Sequence, residues 1–214
     1  METVKLYNQD PYLSSFTAKV VSVNGTNIIL DRTAFYPEGG GQTGDTGTLD
    51  DVVVVDTQTI DGEIVHILEA EPSFRVGDAV KCELDWDRRF HVMRLHSASH
   101  IMEHFLLEFY GPLERLGSSV DDRKDRSEYA YEGRFESQDL KTIENEINGF
   151  LSEGNEITVS LDPHNPEMRV WKCSSMEMYC GGTHVKNTDE IGQVKLKRKN
   201  PGRGKERVET SLID

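Results

Sequence analysis

A chain of 214 residues has room for one large domain or two small ones with real cores. It carries 24 Lys and Arg against 38 Asp and Glu, a formal charge of −14, which excludes a bulk, sequence-blind nucleic-acid binder. No apolar run approaches the roughly 20 residues of a membrane span. The start METVKLYNQDPYLSSF lacks a secretory signal, and 3 Cys are too few for a disulfide framework, so a cytoplasmic protein with no membrane partner is expected.

Residues 16–85 read as β. FTAKVVSV and TNIIL flank Asn24-Gly25, a strong hairpin signal. DDVVVVDTQTI, GEIVHIL and AVKCELDW follow at short intervals, a pattern that suggests a small barrel. Near Trp86 the texture changes. DRRFHVMRLHSASHIMEHFLLEFYG has helical periodicity through Phe90, Met93, Ile101, Phe105 and Leu106, and Gly111-Pro112 ends it. SQDLKTIENEINGFLSEG reads as a second amphipathic helix, with Ser137 as its N-cap and Gly154 at its end. EITVSLD, EMRVWKC and GQVKLKRK read as strands, and NPGRGKER as a surface loop. The expected class is α+β, with a β-barrel domain over 1–87 and an α+β domain over 88–214.

Two residue pairs carry metal chemistry. His96 and His100 form an H-x-x-x-H on the first helix, where i and i+4 share a face and both imidazoles can reach one ion. Cys180 and His184 form a C-x-x-x-H whose two central glycines suggest a tight turn that aims both side chains inward. Three imidazoles and a thiolate suit Zn2+. The fold must bring the pairs together, unlike a small zinc finger. Ser97 stands where a zincin carries its glutamate base, which excludes that mechanism. His104 continues the helix face and reads as a supporting or core residue. His66, His91 and His164 have no partner motif, and Cys82 and Cys173 lie in strand patterns as plain thiols.

The stretch from Asp31 to Gly47, DRTAFYPEGGGQTGDTG, formally contains G-x-G-x-x-G at Gly39, Gly41 and Gly44. A β-rich run follows instead of a helix, which rules out a dinucleotide fold, and no Walker lysine is present. Close backbone approach, to another element or to a ligand, is the expected role of these glycines. Gln42 is a polar side chain among them, placed to meet a substrate.

Four motifs in order resemble the editing domain of alanyl-tRNA synthetases and its free-standing AlaX relatives. They are DRTAFYPEGGGQTGDTGTL, RLHSASHIM, CGGTHVKNTDEIG and PGRGKERVE. Glu206 stands where an Arg often does, and Glu103 where relatives often have a third His. The length and the glycine-rich stretch favour the medium AlaX form, and the chain has no room for a synthetase core. The resemblance implies a zinc-dependent aminoacyl-tRNA hydrolase that edits in trans, deacylating Ser-tRNA(Ala) and also Gly-tRNA(Ala). It makes His96, His100, Cys180 and His184 the metal ligands, with His184 either a tight ligand or a base. Gln42 then positions substrate or water, and Thr33 contacts the serine hydroxyl. The rivals are a non-catalytic zinc-stabilised tRNA-binding module, an editor of another tRNA, and a hydrolase of small esters.

Charge is unevenly distributed. Residues 1–85 hold 5 basic and 15 acidic groups, 86–185 hold 11 and 18, and 186–214 hold 8 and 5. The basic end, with Lys197, Arg198, Arg203, Lys205 and Arg207, is the expected tRNA contact, joined by Arg88, Arg89 and Arg94 near the metal helix.

Overall fold

The computed structural model describes residues 2–165 and 168–213, which fall into two compact units, Met1–Phe90 and His91–Asp214. The first contains β1 (Val4–Lys5), β2 (Ser15–Asn24), β3 (Asn27–Leu30), β4 (Arg32–Thr33), β5 (Gly47–Leu49), β6 (Val52–Ile60), β7 (Glu63–Leu68) and β8 (Ala79–Leu84). β1 and β4 make a short parallel pair. The other six pair in the order β2-β3-β7-β6-β5-β8, and β8 returns to β2, closing a barrel. Period-2 alternation defines its inside. In β8, Val80, Cys82 and Leu84 are buried while Ala79, Lys81 and Glu83 face solvent. Val20, Ile28, Leu30, Leu49, Val54 and Leu68 join them in the core. Cys82 is the plain thiol expected, and burial pushes its pKa up to about 12.

The β2–β3 hairpin turns one residue later than its sequence signal. Asn24 pairs with Asn27, so the turn is Gly25-Thr26, with Gly25 at φ 58°. β5 was not expected, because it emerges from the glycine-rich stretch. The glycines there do make close approaches. A Cβ on Gly44 would lie 2.2 Å from the Thr57 carbonyl oxygen and 2.6 Å from Asp56 Oδ1. Because the nearer obstacle is backbone, Gly44→Ala should cost about 1–3 kcal/mol of stability. Denaturant unfolding reads this directly, and an unchanged midpoint would contradict the packing.

α1 (Trp86–Tyr110) begins in the last residues of the first unit and continues through the second. The second unit adds β9 (Glu114–Val120), β10 (Asp125–Ala130), α2 (Ser137–Leu151), β11 (Ile157–Leu161), β12 (Arg169–Cys173), β13 (Met176–Tyr179), β14 (Gln193–Gly202) and β15 (Lys205–Ile213). One antiparallel sheet has the order β14-β15-β10-β9, and a second has β11-β12-β13. α1 is buried at every position from Leu95 to Met102. Its polar residues His96, Ser97, Ser99 and His100 are therefore interior groups that need partners. α2 guards the edge of β14. The Asn148 amide accepts from Val194 N–H and donates to its carbonyl at 2.8 and 2.9 Å, while Glu144 accepts from Leu196 N–H at 2.8 Å.

Three expectations are corrected. Ser137 is the first residue of α2 and not its cap. Glu136, extended at φ −73° and ψ 145°, holds that position without a side-chain bond. NPGRGKER is not a loop, because β14 runs to Gly202 and β15 resumes at Lys205, leaving Arg203-Gly204 as the turn. β9, β10 and β13 were not anticipated, and β15 begins inside the stretch read as a loop. In β10 the buried face is Asp125, Ser127 and Tyr129, so no apolar alternation marks it. Desolvation raises the Asp125 pKa to about 7, against the opposing pull of the Ser99 and Ser127 hydroxyls.

Candidate metal centre

α1 brings His96 and His100 to one face, with ring centroids 4.9 Å apart. β13 ends at Tyr179, and Cys180 N–H extends its ladder with a 2.9 Å bond to the Arg169 carbonyl. The chain then passes through Gly181-Gly182-Thr183 to His184. Cys180 and His184 both aim inward, as expected of this segment, and neither glycine needs a positive φ to do it. Two anchors fix it beyond His184. Val185 N–H donates to Ser97 Oγ, tying the segment to α1 at 3.2 Å. Asn187 and Glu190 form a capping box on the short 3-10 helix Thr188–Glu190.

The result is a four-donor cluster. One ligand atom from each of His96, His100, Cys180 and His184 lies within 4.8 Å of all the others. His100 Nε2 and His184 Nε2 are 3.1 Å apart, and Cys180 Sγ is 3.4 Å from His96 Nε2 and 3.5 Å from His184 Nε2. A tetrahedral zinc with bonds of about 2.05 Å to nitrogen and 2.3 Å to sulfur sets its donors roughly 3.3–3.6 Å apart. The side chains present fit such an ion with little movement.

Electrostatics point the same way. Desolvation lowers the His96 pKa to about 4, with the Arg115 charge adding to it. Burial and neighbouring imidazoles hold His100 and His184 well below the ordinary value. All three rings are neutral at physiological pH, the state that ligates a metal. Burial raises the Cys180 pKa, and a bound cation would reverse that by favouring the thiolate. Among the described residues the buried Nδ1 atoms of His100 and His184 meet no hydrogen-bond partner, and both rings meet the cluster through Nε2.

Other expected residues lie elsewhere. His104 is partly exposed and pairs with Glu108 at 3.5 Å, so it is neither core nor support for the ligands. Cys173 is buried outside the four-donor set. Thr33 and Gln42 are both fully buried in the first unit. Thr33 Oγ1 accepts from Phe35 N–H at 3.0 Å and shares a 2.8 Å bond with His66 Nε2. Gln42 closes a loop by reciprocal backbone bonds with Gly39 around Gly40-Gly41, both at positive φ. Of the three arginines expected at nucleic acid, Arg89 is withdrawn from any such contact by burial, while Arg88 and Arg94 are half-buried. Arg89 is wholly buried against Asp45, Arg88 donates to the Gly44 carbonyl at 2.7 Å, and Arg94 donates to the Ile191 carbonyl at 3.0 Å.

Three contributors were missed. Ser97 anchors the ligand-bearing segment. Trp171 packs its ring 4.9 Å from that of His100, with Nε1 buried and without a partner among the described residues. Arg115, held by Glu103 at 3.0 Å, supplies the positive charge felt by His96 and His100. Only Ser97 was flagged by a motif, through its place between the two helical histidines.

Both parts of the chain match families of domains named for aminoacyl-tRNA synthetases. The family described as threonyl and alanyl tRNA synthetase second additional domain matches residues 173–209, and the family tRNA synthetases class II (A) matches residues 6–88. The alanyl-tRNA editing protein AlaX-M of Pyrococcus horikoshii is 37% identical over 98% of this chain and 98% of its own length. Alanine–tRNA ligases of Saccharolobus islandicus and Sulfurisphaera tokodaii are 36% and 35% identical over 91% of the chain. The chain spans only about a quarter of their length, 25% and 24%. The chain belongs to the AlaX family of alanyl-tRNA editing proteins.

Proposed function

We propose that this chain is a zinc-dependent deacylase that hydrolyses the ester of mischarged tRNA(Ala), chiefly Ser-tRNA(Ala) and also Gly-tRNA(Ala). The four-donor cluster carries the reading, because its donor types and spacings suit zinc and its histidines are neutral. The end-to-end likeness to a free-standing relative supports action in trans.

A bound Zn2+ supplies Lewis-acid chemistry, polarising the ester carbonyl or making water a stronger nucleophile at neutral pH. The chain's own contribution is to hold the donors rigidly. His96 and His100 are fixed by a buried helix, and Cys180 and His184 by a strand end and the Ser97 anchor. Cys180 must give up its proton as metal binds. Gln42 is proposed to position substrate or water. Thr33 is proposed to select serine through its hydroxyl, which His66 and Phe35 already orient. Such selection answers a known difficulty, because a synthetase pocket discriminates poorly against one added hydroxyl or one missing methyl. Lys197, Arg203, Lys205 and Arg207 are proposed as tRNA contacts, with Arg198 set apart because it pairs with buried Glu206, and zinc is proposed as one ion per chain. No helix of the described residues is long and apolar enough to cross a membrane.

The test is deacylation of purified Ser-, Gly- and Ala-tRNA(Ala), with and without a chelator. Rapid loss of serine and glycine, sparing of alanine and arrest by the chelator are expected. Gln42→Ala should keep its zinc and lose rate. Tight tRNA binding without turnover of any ester would leave the non-catalytic module instead.

A further inference from the structure

We infer that the outward face of the β14-β15-β10-β9 sheet docks an RNA phosphate backbone, with Lys195, Lys197 and Lys199 as its principal contacts. The inference rests on the tRNA reading above and names the surface that reading leaves open.

In β14, Lys195, Lys197 and Lys199 are exposed and alternate with buried Val194 and Leu196, so the three ammonium groups share one side of the sheet. Residues two apart on a strand are about 6.8 Å apart, a step close to that between successive phosphates of a polynucleotide. Register extends the face across the sheet. Lys197 lies beside Glu209, then Arg126, then Ser119; Lys199 lies beside Arg207, then Glu128, then Gly117.

Ion pairing then decides which charges remain available. Glu209 is taken by Lys124 at 2.9 Å, Glu128 by Arg207, and Asp121 by Arg126 at 3.0 Å. Glu209, Glu128 and Asp121 are thus each matched by one base. Lys195, Lys197 and Lys199 form no salt bridge within 4 Å among the described residues, so the uncompensated charge of the face is the lysine row. Ser211, Ser119 and Gly117 keep the face low enough for a backbone to approach. The exposed Arg203 and Lys205 continue the positive charge at the hairpin tip.

Arg198 is separated from this set. It faces the other side of the strand and is bound through its Nε to Glu206 at 2.6 Å. Glu206 is buried, so Arg198 balances an interior carboxylate. The remainder of the chain is strongly acidic, with 33 acidic against 16 basic groups in residues 1–185. A polyanion is therefore repelled elsewhere and admitted at this face, which orients the substrate as well as binding it.

The experiment compares Lys195→Gln/Lys197→Gln/Lys199→Gln with the wild type and with a control, Lys81→Gln/Lys172→Gln, which removes exposed lysines outside this face. Binding of tRNA(Ala) transcript is measured across a salt series. In parallel, hydrolysis is measured for a serine ester of a CCA trinucleotide, too short to span both the ester site and a surface along a sheet. For the triple variant, at least about tenfold weaker binding at low salt and a log–log salt slope smaller by about 2–3 are expected. Its turnover of the short ester should be unchanged, and the control should match the wild type in both assays. An unchanged slope and affinity in the triple variant would overturn the inference. So would competition by a polyglutamate peptide as effective as that by tRNA at equal charge, which would make the face an acidic-protein surface. Failure of the wild type to hydrolyse either ester sinks the proposed activity instead, and the binding comparison still decides the face.

Discussion

Replacing Cys180 and His184 together with alanine is expected to remove zinc and ester hydrolysis in one step. The four donors surround a single point, with separations of 3.1–3.5 Å between the closest pairs. Deleting two leaves His96 and His100, too few to hold an ion that takes four. Loss of a Lewis acid worth several kcal/mol lowers the rate by about a thousandfold or more. Metal content by elemental analysis and deacylation of Ser-tRNA(Ala) should fall together, while tRNA binding through the basic sheet face persists. Full activity in the metal-free double variant would remove the cluster from the chemistry. His104→Ala is the internal comparison, because that residue lies outside the donor set and pairs with Glu108. It should retain both metal and rate. Its failure would mean that the helix itself had been disturbed.

The ligand set was legible in the sequence because each half has fixed local geometry. A helix dictates that His96 and His100 share a face, and two residues four apart around glycines can converge. That the halves meet was only an expectation, since 84 residues separate the bonded pairs His96–Cys180 and His100–His184. The two glycines converge the pair without unusual backbone. Gly181 and Gly182 supply no left-handed backbone, whereas Gly40, Gly41 and Gly25 do. Strands with apolar alternation were readable, and β10 was not, because its inward residues are an acid, a serine and a tyrosine. Arginines near the metal helix suggested RNA from their charge alone. Only the fold reveals that Arg89 is spent on a buried carboxylate, and that Arg88 and Arg94 each donate to a backbone carbonyl. Sequence pattern reports where apolar surface goes, but the partner of a buried charge is set by distant residues.

Arg89 is the case with the largest expected effect on stability. Its guanidinium is fully buried and meets Asp45 through Nε at 2.9–3.0 Å, with a further bond from Nη2. It also donates to the Pro11 and Ala34 carbonyls at 3.0 and 2.6 Å. Asp45 in turn accepts from Tyr36 N–H at 2.6 Å, so the pair joins the N-terminal segment, both ends of the glycine-rich stretch and the first turn of α1. All of these lie within the first unit. Arg89→Met would strand the Asp45 carboxylate and the Ala34 carbonyl away from water. Removing one partner of a buried pair costs about 3–5 kcal/mol, a large share of the roughly 5–15 kcal/mol that holds a typical domain together. Asp45→Leu should be similarly damaging because it strands the guanidinium. The double variant should recover part of the loss, since two apolar side chains no longer bury an unmatched charge. Denaturant unfolding of the two single variants and the double variant tests this directly. Additive losses would show that the pair acts as two independent anchors rather than as one coupled unit. With coupling, loosening Arg89 also frees the Thr33–Gln42 segment, so on the roles proposed for those two residues the single variants should lose serine selectivity under conditions where they remain folded.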